Sequence, residues 1–212
     1  MPRSFSDLRR RQSRIEQKVR VTIFCEGQNT EAGYFKALSR RLGDKVIVIP
    51  EGGGSDPSKL ADLAIQKLSH LKIKNADPTK LLDLGSKDFV WVVFDKDTHE
   101  HFNAAMDRCR SKGIPVAYSV PCFEVWLLLH CENFGGVGDS SAAQQRFRML
   151  RPEYDPNNGK KANFLALLGS LEAAETRAEQ QLKLRIEERA EYGNPSTTVF
   201  ELTRFIGRLA KG

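Results

Sequence analysis

Four short runs rich in β-branched and aromatic residues, separated by helix-length stretches, constrain this chain more than any other feature. They are VRVTIF (Val19–Phe24), KVIVIP (Lys45–Pro50), DFVWVVF (Asp88–Phe94) and IPVAYSV (Ile114–Val120). Each is too short for a stable helix and has the composition of a buried strand. Between the first two, Tyr34, Leu38 and Leu42 recur at helical spacing, with Phe35 beside them. Asp56 followed by Pro57 reads as an N-cap and a first-turn proline, opening a helix through Leu60, Leu63, Ala64, Leu68 and Leu71. A third helix is predicted from about His99 to Lys112, ended by Gly113. Strands alternating with helices imply parallel pairing through right-handed crossovers. The predicted fold class is therefore α/β: an open, mostly parallel four-stranded sheet flanked by helices.

The chain changes character after Val120. CFEVWLLLH is a continuous apolar run that reads as a buried helix following Pro121. Helices are predicted at about 140–150 and 161–190. A last helix starts after GNPSTT, where Thr198 and Glu201 have capping-box spacing. No large apolar residue stands between Leu171 and Leu182, so that stretch reads as a solvated or protruding helix surface. The expected organisation is a basic N-terminal arm (1–18), an α/β domain (19–122) and a helical C-terminal region (123–212) packed on it.

Charge is unevenly placed. Of the chain's net +6, residues 1–20 contribute +5, from seven basic residues against Asp7 and Glu16; the rest of the chain carries only +1. Arg9, Arg10, Arg11 and Arg14 in the arm are candidates for phosphate contacts, and a solubilising tail accounts for them equally well. No run approaches the length of a membrane span, and the N-terminus lacks the apolar segment of a secretory signal. Cys25, Cys109, Cys122 and Cys131 form no CxxC pair, which argues for reduced thiols in a cytoplasmic protein.

Functional groups in open α/β sheets gather at the carboxyl ends of the strands, and two strands here end in acid. The first ends in Glu26–Gly27, and the third in Asp95, Lys96, Asp97. If those strands are neighbours, Glu26, Asp95 and Asp97 converge at one edge. Crowded carboxylates hold their protons unless a cation intervenes, and an all-oxygen set suits Mg²⁺ or Mn²⁺. Gly27 would let a metal or phosphate approach the backbone. Glu124, inside the apolar run Phe123–Leu129, reads first as a carboxylate at a helix N-terminus; directed at the cluster, it would help hold a second ion.

Glu-Gly after one strand and Asp-x-Asp after a later one is the layout of the Toprim domain shared by topoisomerases, primases and several nucleases. In order, EGQNTEAGYF, WVVFDKD, YSVPCFEVWLLLH and NPSTTVFEL resemble the RloB-like family, over Glu26 to Leu202. Val120 stands where that pattern has Asn before the proline. The resemblance implies a Toprim-like catalytic centre in a bacterial antiphage defence protein, paired with a separately encoded ATPase. It assigns Glu26, Asp95 and Asp97, with Glu124 beside them, to a metal-dependent nuclease acting on RNA or DNA, and leaves a homo-oligomer open.

Other motifs point elsewhere less well. GGGS lacks the GxxxxGK[ST] of a phosphate loop. FDKDT is similar to haloacid-dehalogenase phosphatases, but Thr98 is one residue too close and no later acidic pair follows. His99, His101 and His130 read as exposed or hydrogen-bonded side chains before they read as ligands, and Trp91 and Trp126 read as core. Lys160, in the polar stretch with Tyr154 and Lys161, is a candidate nucleic-acid contact, with a solvated loop as the simpler reading. The main alternative to an enzyme is a non-catalytic Toprim-like module that binds nucleic acid or a partner ATPase.

Overall fold

The computed structural model of the chain describes residues 19–52, 56–76, 88–96, 100–155, 157, 159–160, 162–190 and 192–211. The basic arm, with Arg9, Arg10, Arg11 and Arg14, lies outside the described residues, as do Asp97, Thr98 and His99.

All four expected strands form: β1 (Val19–Cys25), β2 (Val46–Gly52), β3 (Asp88–Asp95) and β4 (Val116–Val120). They pair in parallel in the order β2-β1-β3-β4. The expectation of four strands needs correcting, because β5 (Ser196–Thr197) adds antiparallel to β4. Its two residues are too short and too polar to carry a hydrophobic period. Hydroxyls hold it instead: Thr197 Oγ1 stands 2.9 Å from Ser119 Oγ, and Thr198 Oγ1 accepts from the Tyr118 N–H at 2.9 Å. The sheet is thus mostly, not wholly, parallel.

Period-two alternation assigns each strand residue to a face. Val21, Ile23, Cys25, Trp91, Val93 and Ala117 join the larger core. Phe24, Val90, Val92, Phe94, Tyr118 and Val120 join a smaller one on the other side. The smaller core is closed by α2 (Pro57–Ala76) and α3 (Phe102–Ser111). The α2 start is as read, since Asp56 accepts from the Ser58 N–H at 2.9 Å.

The larger core lies under α1 (Thr30–Leu42), α4 (Glu124–Cys131), α5 (Ser140–Leu150), α6 (Phe164–Leu167), α7 (Leu171–Glu187) and α8 (Val199–Lys211). One cluster therefore spans sheet and C-terminal helices without a seam. The single helix expected over 161–190 is broken into α6, a 3-10 turn (Leu168–Ser170) and α7. Asn163 caps α6 by accepting from the Ala166 N–H at 3.1 Å, and the Ser170 hydroxyl donates to the His130 carbonyl at 2.7 Å.

Nor does α7 protrude. Ala174 and Ala178 are fully buried, and α7 packs along α4. Small side chains let two helices approach closely, so this stretch of α7 packs without large apolar residues of its own. Among the described residues no helix is long and apolar enough to cross a membrane.

Candidate functional site

The carboxyl ends of β1 and β3 lie side by side, because Cys25 pairs with Val93. Glu26 thereby reaches Asp95, whose backbone N–H donates to Glu26 Oε1 at 3.3 Å. Two of the three expected carboxylates are thus brought together at one sheet edge. The third, Asp97, lies outside the described residues.

Glu124 arrives from the next strand. Ser119 of β4 is in register with Asp95, and the chain turns through Pro121 to start α4 at Glu124. The side chain is buried, and Tyr154 Oη donates a hydrogen bond to its Oε1. Lys160 Nζ stands 3.8 Å from the same oxygen. Tyr154 and Lys160 are accordingly docked on the site: Tyr154 is completely buried and rests edge-on against Phe147. Lys160 takes a left-handed backbone conformation, φ 47°, which is uncommon for a residue with a side chain.

The sequence reading missed a fourth carboxylate. Glu31, in the first turn of α1, is buried and accepts from the Gly27 N–H at 2.8 Å. A Cβ at Gly27 would fall 1.9 Å from Glu31 Oε2. The bare backbone at Gly27 therefore makes room for the Glu31 carboxylate, where the sequence suggested room for a metal or phosphate. The available signal was an acid in the first turn of the helix after the Glu-Gly strand end.

These acids act on one another. Burial raises the Asp95 pKa well above the usual carboxylate range, and the charges of Glu31, Glu124 and Glu26 push it further; the Phe123 backbone N–H acts the other way. Burial also raises Glu31, opposed by the Gly27 hydrogen bond and reinforced by Glu124. Asp95 Oδ1 is buried without a hydrogen-bond partner among the described residues. Such an orphaned acceptor is costly. Burial and the neighbouring carboxylates hold the Cys25 and Cys122 thiols protonated. All four cysteines are free.

The remaining candidates lie apart from this chemistry. His101 is exposed at the start of α3. His130 is buried: its Nδ1 donates to the Leu167 carbonyl at 2.8 Å, leaving Nε2 to accept from the Tyr34 hydroxyl at 3.0 Å. Burial lowers its pKa to about 4, so it stays neutral as a core hydrogen-bonding group. Trp91 and Trp126 are core residues. Among the described residues, no three His, Cys, Asp or Glu are already grouped as a metal cage.

The fold and site define an α/β protein with buried and half-buried carboxylates gathered at the carboxyl edge of a mostly parallel sheet. Residues 21–206 match the family model described as RloB-like protein. The chain belongs to the RloB-like family. No curated protein and no solved structure matches it.

Proposed function

We propose that this chain is a divalent-cation-dependent nuclease with a Toprim-like centre at the carboxyl edge of its sheet. The observation that carries the reading is Asp95: half-buried, its buried Oδ1 lacking a hydrogen-bond partner among the described residues, and crowded by Glu26, Glu31 and Glu124. Such crowding is relieved by a cation or by a proton. The donors fit Mg²⁺ or Mn²⁺, being oxygen only, and such ions keep several waters and take phosphate oxygens into their shell. Glu26 and Asp95, with Asp97 from the same Asp-x-Asp run, would hold the ion, and Glu124 would stand beside it. When bound, it would supply Lewis-acid stabilisation of phosphate charge and a more acidic water.

The chain's own residues do the rest. Glu31 is fixed by the Gly27 N–H, keeping a second carboxylate beside Asp95. Tyr154 orients Glu124, and Lys160 brings a positive charge to its oxygen. A phosphate entering there would meet Lys160 as an electrostatic partner. A cytoplasmic antiphage role and a separately encoded ATPase go with this reading through the family resemblance.

The non-catalytic alternative draws on one observation, the lack of a ready three-ligand cage among the described residues. Purified protein incubated with RNA and with DNA, in Mg²⁺ or Mn²⁺ and with the partner ATPase present, separates the two. Hydrolysis that falls by at least about a hundredfold in Asp95→Asn and in Glu26→Gln is expected, a loss typical of deleting one electrostatic group. Substrate left intact by the parent protein under every condition would favour the binding module.

A further inference from the structure

A second charged feature lies at the opposite end of the sheet. Strand β1 runs from Val19, paired with Val46, to Cys25 beside the acidic cluster. Over seven residues that is about 20 Å. At the Val19–Val46 end a cavity of about 910 Å³ opens between the last turn of α1, the α7 start and the C-terminal half of α8. Five cations line it: Arg41, Lys45, Arg204, Arg208 and Lys211. Glu172 and Glu175 are its acids.

Arg204 is already engaged by Glu175 at 3.4 Å and Glu179 at 2.8 Å. Arg41, Lys45, Arg208 and Lys211 are exposed and have no ion-pair partner among the described residues. In a body whose net charge is only +1 over residues 21–212, such cations repel one another across a concave surface. The arrangement suits an external anion. Its form matters too: the charges come from α1 (Arg41), the 3-10 turn that follows it (Gly43–Lys45) and α8 (Arg208 and Lys211), around a cavity with room for more than one phosphate group, which fits a linear array of phosphates better than a single one. Arginine offers phosphate a two-pronged contact and lysine a point charge.

We infer that this groove, lined by Arg41, Lys45, Arg208 and Lys211, binds the phosphate backbone of a nucleic-acid strand, anchoring it about 20 Å from the acidic edge. The choice of a nucleic acid as the polyanion rests on the proposed nuclease reading; the site itself does not. Anchoring and cutting are then separable functions at opposite ends of one sheet.

The test measures binding without cleavage. Fluorescence anisotropy is recorded in EDTA, in an Asp95→Asn background, against a labelled single-stranded RNA, a DNA duplex of equal length and ATP, over a salt series. The double variant Arg208→Gln/Lys211→Gln is expected to weaken oligonucleotide binding at least about tenfold. It should also flatten the log–log salt slope by about 1.4 for the single strand or about 1.8 for the duplex, as loss of two phosphate contacts requires. A Cβ added at Gly207, on the groove wall, would meet nothing within 4 Å, so Gly207→Ala and Gly207→Glu should both fold. The alanine should bind like the parent and the glutamate more weakly.

Parent affinity and slope in the double variant and in Gly207→Glu would overturn the inference, as would binding of ATP with neither oligonucleotide. If cleavage by otherwise unaltered protein depends on Asp95 while these groove variants bind normally, the groove inference fails and the nuclease reading stands. If groove variants lose binding but no protein cleaves, the groove stands and the nuclease reading fails.

Discussion

At the scale of single residues, Asp95 and His130 show two opposite uses of burial. Around Asp95 the protein concentrates like charges and leaves one oxygen without a partner among the described residues, an arrangement that works against folding and is relieved by a cation or by a proton. Around His130 it does the reverse, satisfying both ring nitrogens with the Leu167 carbonyl and the Tyr34 hydroxyl. Because burial holds the folded pKa near 4 against 6.5 for a free histidine, the unfolded chain binds the extra proton first on acidification. The stability contributed by the neutral ring is therefore complete above about pH 6.5 and lost as pH falls through 4, at up to about 1.4 kcal/mol per pH unit. His130→Gln should be destabilised at pH 7.5, and its deficit relative to the parent should shrink between pH 6.5 and 4. Urea melts at a series of pH values check this, and a deficit that does not change with pH would mean that the fold does not lower the His130 pKa. Glu31 belongs at this scale as well. Nothing in NTEAGYF separates an acid that favours a helix start from one that folds back on Gly27, because that difference is set by a tertiary contact.

Among the elements, strands β1 to β4 were legible because their β-branched runs carry a strong local signal. The elements that were missed or misread carry their signal elsewhere. The two-residue β5 depends on hydroxyl bonds to Tyr118 and Ser119, which leave no hydrophobic period. In α7, Ala174 and Ala178 look ordinary in the text because a close helix contact selects small side chains, not large apolar ones. Tyr154 and Lys160 stand in a polar run of the sequence, and only their contacts with Glu124 make them part of the site. The α7 interface can be tested directly. Ala178→Leu should overpack the contact with α4 and cost about 1–3 kcal/mol, whereas Ala173→Leu, on the exposed side of the same helix, should change stability by less than about 0.5 kcal/mol. Equal, small effects in thermal melts would mean that α7 does not pack on α4 through this stripe.

Across the whole molecule, the sheet separates charge. Buried and half-buried acids collect at its carboxyl edge, cations without an ion-pair partner among the described residues collect at its amino edge, and the near-neutral total conceals both. The carboxyl-edge rule for open α/β sheets was enough to bring Glu26 and Asp95 together from text positions 69 residues apart. Composition alone could not locate the basic groove, because Arg41, Lys45, Arg208 and Lys211 come from opposite ends of the sequence. The decisive measurement is a crystal structure of the protein soaked in Mn²⁺, read from the anomalous signal of the ion. A peak at the carboxyl edge within about 2.0–2.3 Å of oxygens from both Glu26 and Asp95, absent in Asp95→Asn crystals, is expected. Crystals that take up no ion there at saturating Mn²⁺, with Asp95 Oδ1 still lacking a partner, would contradict the assignment of this edge as a metal-dependent active centre.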